Sequence, residues 1–421
     1  MTAASTPISL PLKRVAQINR RTLGEDTPAD RPMRYVDISN VNENGQILLP
    51  QELVFEKAPS RARRLVTRGD TIISTVRTYL KAIAFLPEPD AETVVSTGFA
   101  VLTPKPEMDP RYLAWAVRSD SFVGEVVARS VGVSYPAIAP TELGDIELPV
   151  HPRPIQSKIA DFLDRETAKI DALIEEKERL LKLLDERRQA LITEAVTRGL
   201  DPNVPMKLSG LPWLGNIPAH WAMKRLKHVL ASTATGFTPS TAEERYFGEA
   251  GLPWYTPASF TDQLILSEPV RHLTDLAIQD GQVRNFPAMS SLVIGIGATL
   301  GRVRFLDHTA TGNQQLICLT FTGRVNAFYG CYFLRSHESV IRSMATGTTL
   351  PIIVAPDLVE LTMPVPPLAE QETICDYVNL IGTTTKAASG DILTAIAALR
   401  SRRSALIHEA VTGQLQLERH T

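Results

Sequence analysis

The side chains best suited to grip a ligand are cationic. Arg61, Arg63, Arg64 and Arg68 fall within eight residues, and Arg77, Tyr79 and Lys81 follow the next β-type run. A guanidinium donates in a fixed fork that matches a phosphate or the edge of a guanine, and an ammonium adds a point charge. A looser set lies beyond residue 220: Lys224, Arg245, Arg284, Arg302 and Arg304. Arg302 and Arg304 alternate with Val303 and Phe305, which puts both on one face of a strand. Thr238, Ser240 and Tyr246 bring hydroxyls and a ring to a polar stretch around Pro239, and Thr299 aligns with Tyr79. Each has a plainer reading. The basic run can be a solvated loop, the Pro239 stretch ordinary turn chemistry, Tyr79 a packed ring, and the 302–304 face merely wet.

Catalytic signatures are missing. There is no Walker A lysine loop, zinc-spaced Cys/His cluster or Gly-x-Ser-x-Gly elbow, nor the Asn/Asp-Pro-Pro-aromatic motif of an amino-methyltransferase. No catalytic residue, metal or cofactor is therefore expected. Val293–Gly301 imitates a dinucleotide-binding glycine turn, but that motif needs a helix next, and Arg302–Leu306 alternates like a strand. Its aligned copy, Thr75–Lys81, has no glycine at all, so a tight hairpin is the better reading. The eight histidines are scattered. Glu194 recurs as Glu409, and Arg187-Arg188 as Arg402-Arg403. Their place near helix ends favours helix–helix salt bridges or partner docking over carboxylate catalysis.

These residues sit in a chain that is written twice. Arg187-Arg188-Gln189-Ala190-Leu191-Ile192-Thr193-Glu194-Ala195-Val196-Thr197 returns, with two differences, as Arg402–Thr412. The same offset carries Pro149 onto Pro364, Pro152 onto Pro367, Gln156 onto Gln371, Ile159 onto Ile374 and Asp161 onto Asp376. A slightly larger offset places Tyr35 on Tyr255, Leu80 on Leu300 and Phe85 on Phe305. Both copies then close with Gly-x-x-x-Pro-x-Ile: Gly132, Pro136, Ile138, and Gly347, Pro351, Ile353.

The 421 residues suit two or three domains, and 44% hydrophobic content suffices for ordinary cores. No apolar run of membrane-spanning length occurs, and the N-terminus does not read as a secretory signal. Three scattered cysteines suggest a reducing compartment, here the cytoplasm, and exclude a disulfide framework. A net charge of −2 neither supports nor excludes nucleic acid; only a local basic surface would reveal phosphate binding.

Short β-type runs punctuated by Gly, Pro and Asp fill residues 1–150 and 223–362. After each comes a proline pair and a long helical pattern, within 151–200 and 363–415, with a Pro- and Trp-rich connector at 201–222. The first helix, about Gln156 to Thr197, repeats apolar residues at spacings of three and four, the seam of a coiled coil. At 1.5 Å per residue it is about 60 Å long, too long to hide in a small domain. The second, about Gln371 to Thr412, is its natural partner, with a kink or weak turn expected at Gly382-Thr383-Thr384-Thr385 and Gly390. The expected fold class is α+β: two tandem strand-rich domains separated by two long antiparallel coiled-coil helices, an internal repeat with a pseudo-twofold axis.

Leu211-Pro212-Trp213-Leu214-Gly215-Asn216-Ile217-Pro218-Ala219-His220-Trp221 resembles the opening of a target-recognition domain in the specificity (S) subunits of type I restriction–modification systems. Gly236-Phe237-Thr238-Pro239-Ser240, Arg245-Tyr246-Phe247, Gly297–Gly301 and Pro364–Gln371 are similar to further marks of that family. The first copy departs from the pattern, lacking the Trp-Leu-Gly opening and the Gly-x-Thr-Pro-Ser loop. The resemblance implies a non-catalytic reader of double-stranded DNA, each target-recognition domain taking half of a bipartite site. It further implies that the helices fix the gap, that two methyltransferase subunits dock on them, and that restriction and translocation subunits join. A protein–protein scaffold with two β-rich modules on a coiled-coil strut is the main alternative; an enzyme with an unrecognised site is the other.

Overall fold

The structure is a computed structural model describing residues 7–240, 243–347 and 349–415. It divides into two units. Unit 1 takes the chain up to Arg179 and again from Ile392 on; unit 2 is Leu180–Asp391. The boundary falls inside both long helices, Arg153–Arg198 and Leu368–Thr412.

Both units repeat one plan. In unit 1 the strands Ala16–Ile18, Phe99–Pro104, Asp70–Ser74 and Ile83–Leu86 form an antiparallel sheet in that order. In unit 2 the order is Leu230–Thr235, Leu316–Phe321, Ser290–Ile294 and Val303–Leu306. Each unit adds a second four-stranded sheet containing one parallel pair, Pro32–Val36 beside Thr93–Ser96 and Leu252–Tyr255 beside Thr311–Gly312. Each also closes a two-stranded ribbon just before its long helix, Ile8–Pro11 with Glu147–Val150 and Ala222–Arg225 with Thr362–Val365. The mixed α and β fold with tandem strand-rich domains is as expected.

The duplicated helix tail has a packing explanation. Ile192, Ala195 and Val196 end the first helix in the main core of unit 2, and Ile407, Ala410 and Val411 end the second in the main core of unit 1. The tail of each repeat's helix thus completes the other unit's core. Burying each Ile or Val contributes roughly 2 kcal/mol, so these positions resist change. Within unit 1 the two helical segments run antiparallel, since Asp171 meets Arg403 at 2.8 Å and Glu178 meets Arg400 at 3.2 Å. The repeated Arg403 is therefore one half of a helix–helix salt bridge, whereas Arg188 pairs with Asp185 along its own helix.

The helix is not interrupted at Gly382–Thr385 or Gly390, where the sequence predicts a kink or weak turn: Leu368–Thr412 is one continuous helix. Thr383 and Thr384 turn their hydroxyls back to donate to the carbonyls of Leu380 and Ile381. Val378 and Ile381 are buried, so packing overrides weak local propensity. No helix among the described residues is long and apolar enough to cross a membrane.

Candidate nucleic-acid interface

Two duplicated side chains lock each strand domain to the helices. Gln156 accepts from the Asp109 amide at 2.8 Å and donates to the His151 carbonyl at 2.7 Å. Gln371 does the same with the Asn326 amide at 2.7 Å and the Pro366 carbonyl at 2.8 Å. Asp109 and Asn326 are themselves helix N-caps, so one glutamine ties the start of a domain helix to the start of a long helix. Buried Tyr112 donates to the carbonyls of Pro149 and Val411, and buried Tyr329 to those of Pro364 and Val196. Burial pushes both phenols above their ordinary pKa, and they stay protonated donors. These tyrosines escape a sequence reading because the offset between them is neither of the two visible ones.

On these anchored domains the predicted contacts scatter. Arg61 donates to Asp37 at 2.5 Å and to the Tyr35 hydroxyl at 3.1 Å; those partners, Tyr35 first, raise its pKa. Arg63 stacks over Phe55 at 4.7 Å. Arg64 is half-buried and bonds Thr22 at 3.2 Å, and desolvation lowers its pKa. Arg68 pairs with Glu88 at 3.0 Å in solvent. Arg63 sits at a register shift in the edge strand Ala62–Leu65 and stacks on Phe55, whereas Arg64 is tied to Thr22 and Arg68 to Glu88, so the run does not act as one surface.

In unit 2, Lys224, Ser240 and Arg284 are exposed. Thr238 donates to Gln314. Arg245 is tied to Glu243 at 2.6 Å and stacks on buried Tyr246, whose hydroxyl donates to Asp280 at 3.0 Å. Tyr246 is thus a packed ring and not an open contact. The 302–304 strand face is corrected too. Arg302 is half-buried and donates to the Phe260 carbonyl at 3.3 Å. Arg304 is 3% exposed and donates to the carbonyls of Thr261 and Val303 and to Glu338. Burial pushes its pKa down to about 10. The strand Val303–Leu306 is buried along its whole length, so Arg304 is a satisfied core cation.

One local structure recurs in both units. In unit 1, Asp70–Ser74 and Ile83–Leu86 are joined by a tight turn over 76–81, carrying Arg77, Tyr79 and Lys81. The Gly-x-x-x-Pro-x-Ile segment folds beside it as a small hairpin, with Val131 bridged to Ala137 and Ala137 to Val76. Backbone bonds join them: the Arg77 amide to the Pro136 carbonyl at 2.7 Å, and the Ile138 amide to Thr75 at 2.9 Å. In unit 2 the turn 296–301 carries exposed Thr299, and Thr346 and Ile296 bridge Ile352. The Gly297 amide donates to Pro351 at 3.1 Å and the Ile353 amide to Gly295 at 2.8 Å. Gly132 and Gly347 take φ of +119° and +90° at the hairpin bends, which explains the repeated glycine. The glycine turn leads into a strand, as its sequence context required.

Sequence reading missed the hairpin's exposed side chains, Val133 and Tyr135, although its Gly and Pro were visible. It also missed a cleft in unit 1 where Lys81, Arg118, Arg400 and Arg403 gather with Glu43 and Asp120. Those residues are too far apart in sequence to register as a cluster. Among the described residues no group of His, Cys, Asp and Glu is placed to hold a metal ion. The three cysteines are buried and unpaired.

Together these features define a class: a duplicated α+β protein whose two strand-rich domains are locked to long helices. Residues 218–396 match the type I restriction modification DNA specificity domain, and the resemblance to type I specificity subunits holds. The chain is 26% identical over 170 residues to the type I restriction enzyme MjaIX specificity subunit of Methanocaldococcus jannaschii, a match covering 39% of each chain. It is 23% identical to the putative MjaX specificity subunit of the same organism over 66% of this chain and 62% of that one. These matches span about two fifths and under two thirds of the relatives' own lengths. Among solved structures, a chain from work on complex assembly and conformational transition of the type I R-M system superposes with TM-score 0.70 and 24% identity, covering 98% of this chain and 99% of that one. The HsdS subunit from Thermoanaerobacter tengcongensis gives TM-score 0.53 and 23% identity over 98% of both. At those identities the likeness concerns the fold.

Proposed function

We propose that the chain is the non-catalytic DNA-specificity subunit of a type I restriction–modification complex. Each unit reads one half of a bipartite site in double-stranded DNA. The long helices set the gap between the halves and dock two methyltransferase subunits, and restriction subunits join that assembly in the cytoplasm. The carrying observation is the duplicated lock, Gln156 with Tyr112 and Gln371 with Tyr329, which fixes two equivalent strand domains to helices they share. A ligand with two related halves suits such a chain. The specificity-domain match over 218–396 supplies the ligand class. Exposed members of the candidate set, Arg68, Arg77, Tyr79, Lys81, Lys224, Ser240, Arg284 and Thr299, are the groups proposed to approach it, with half-buried Arg63 beside them.

Binding of this kind combines salt-dependent phosphate contacts with groove readout. The test is retention of duplex DNA by the chain purified with a type I methyltransferase subunit, which this reading expects to be encoded beside it. Salt-sensitive, sequence-selective retention is expected. Indifference to DNA, with tight protein capture instead, would favour the scaffold reading, and turnover by the chain alone would make it an enzyme.

A further inference from the structure

The two turns that face the Gly-x-x-x-Pro-x-Ile hairpins differ in one telling way. In unit 2 the turn is opened and closed by glycines, Gly297 at φ +99° and Gly301 at φ +88°. Aligned with them in unit 1 are Arg77 at φ +51° and Lys81 at φ +50°. Both are left-handed, a conformation that costs an ordinary side chain and costs glycine nothing. The repeat therefore has a cheap solution for this turn, and unit 1 does not use it. At both places it carries a cation, and strain of this kind concentrates where a side chain has work to do.

The surroundings suit an anion. Arg77 is exposed, has no carboxylate partner among the described residues, and lies over the Tyr135 ring at 4.7 Å. Three other candidate arginines, Arg61, Arg68 and Arg245, are tied to carboxylates. Lys81 makes one loose, solvent-exposed pair, 3.7 Å from Asp120. Between them Tyr79 stands 54% exposed, and Val133 and Tyr135 stand out beside it at 102% and 64%. The turn is held from behind by the Arg77 amide bond to Pro136 and by the bond between Thr78 and Ser130 at 2.8 Å. A rigid turn thus presents two cations flanking an aromatic ring.

We infer that Arg77 and Lys81 form a phosphate clamp that seats unit 1 on the DNA backbone, and that the equivalent turn of unit 2 is its uncharged counterpart. This rests on the DNA-reading function just proposed and adds an asymmetry to it: electrostatic seating at this tip belongs to one half-site. Unit 2 cannot simply copy the clamp, because a Cβ on Gly301 would lie 2.8 Å from the Glu338 carbonyl oxygen.

The test transplants the sibling's turn. The full chain carrying Arg77→Gly and Lys81→Gly, purified with the same methyltransferase subunit, is compared with the wild-type complex for binding to a fluorescent mixed-sequence DNA duplex across a salt series. A second variant, Arg77→Asn with Lys81→Asn, removes the charges with a residue that tolerates the left-handed region. A control, Lys57→Gln with Lys158→Gln, removes the same charge from exposed sites elsewhere in unit 1. Each lost phosphate contact lowers the slope of log K against log salt by about 0.9, so both turn variants are expected to lose about 1.8 and the control far less. Melting of the turn variants at or above wild type supports the assignment further. An unchanged slope in the turn variants, or an equal loss in the control, overturns the clamp while leaving the DNA reading intact. Failure of the wild type to bind any duplex overturns the DNA reading itself and the clamp with it.

Discussion

At the scale of single residues, the side chains that matter most for the architecture are neutral and buried. Gln371 has both ends of its amide engaged, and shortening it would strand the Asn326 amide and the Pro366 carbonyl in the interior. An unsatisfied buried polar group costs about 1–3 kcal/mol. Gln371→Leu is therefore expected to lower the stability of unit 2 by about 2 kcal/mol, read from urea unfolding; a loss below a few tenths would remove the lock from the account. His337 gives a pH signature. It lies against Phe333 at 4.5 Å and Trp213 at 5.1 Å between ring centroids, and its Nδ1 donates to the Phe333 carbonyl at 2.8 Å. Burial pushes its pKa below the ordinary histidine value. The folded protein then binds the proton less readily than the unfolded chain. The stability this group contributes is complete above the unfolded pKa near 6.5 and is lost as pH falls through the lower folded value. Thermal melts between pH 7.5 and 5 should fall less steeply for His337→Phe than for wild type, and parallel curves would show that the imidazole is not what titrates. The candidate cations were legible at this scale only as residue types. Whether a guanidinium is free, stacked or buried depends on partners such as Asp37 for Arg61 and Glu338 for Arg304, which lie well away in sequence.

At the scale of elements, periodicity located both long helices within a few residues of their observed starts, because proline pairs and a three-four apolar repeat are local signals. The interruption expected at Gly382 and Gly390 is absent for a nonlocal reason. Buried neighbours such as Val378, Ile381 and Ile396 keep the helix continuous through residues that would fray alone. A Cβ added at Gly382 or Gly390 would meet nothing within 4 Å. Alanine at each is therefore expected to stabilise the helix by roughly 0.5–1 kcal/mol, since glycine loses more chain entropy on ordering. The double variant should melt several degrees higher, and an unchanged or lower midpoint would mean that chain entropy at those glycines does not limit the helix. The strand Val303–Leu306 carried the opposite lesson. Its alternation was visible, but alternation does not say which face is dry, and here both are.

For the whole molecule, the duplication was legible and its consequence was not. A linear reading gives each strand domain its own helix as a separate segment, yet the chain from Ile392 on belongs with unit 1, and Leu180–Arg198 of the first helix with unit 2. Val196 and Val411 are buried core residues of the unit other than their own repeat's, which is why the tails have kept their sequence while the strand domains have drifted apart. That exchange makes both helices obligatory connections, so the proposed gap between half-sites becomes a length that can be engineered. Four helical residues add about 6 Å of rise and somewhat more than one turn. Matched four-residue insertions at the unit boundaries, after Arg179 and before Ile392, leave every lock described here in place, because Gln156, Tyr112, Gln371 and Tyr329 keep their partners on their own side. Sequencing of methylated bases in cells carrying the lengthened subunit should then return the same two half-sites with an altered number of intervening base pairs. The same half-sites at the original gap would mean that the helices do not measure the distance, and that the domains are placed on DNA by whatever subunits bind them.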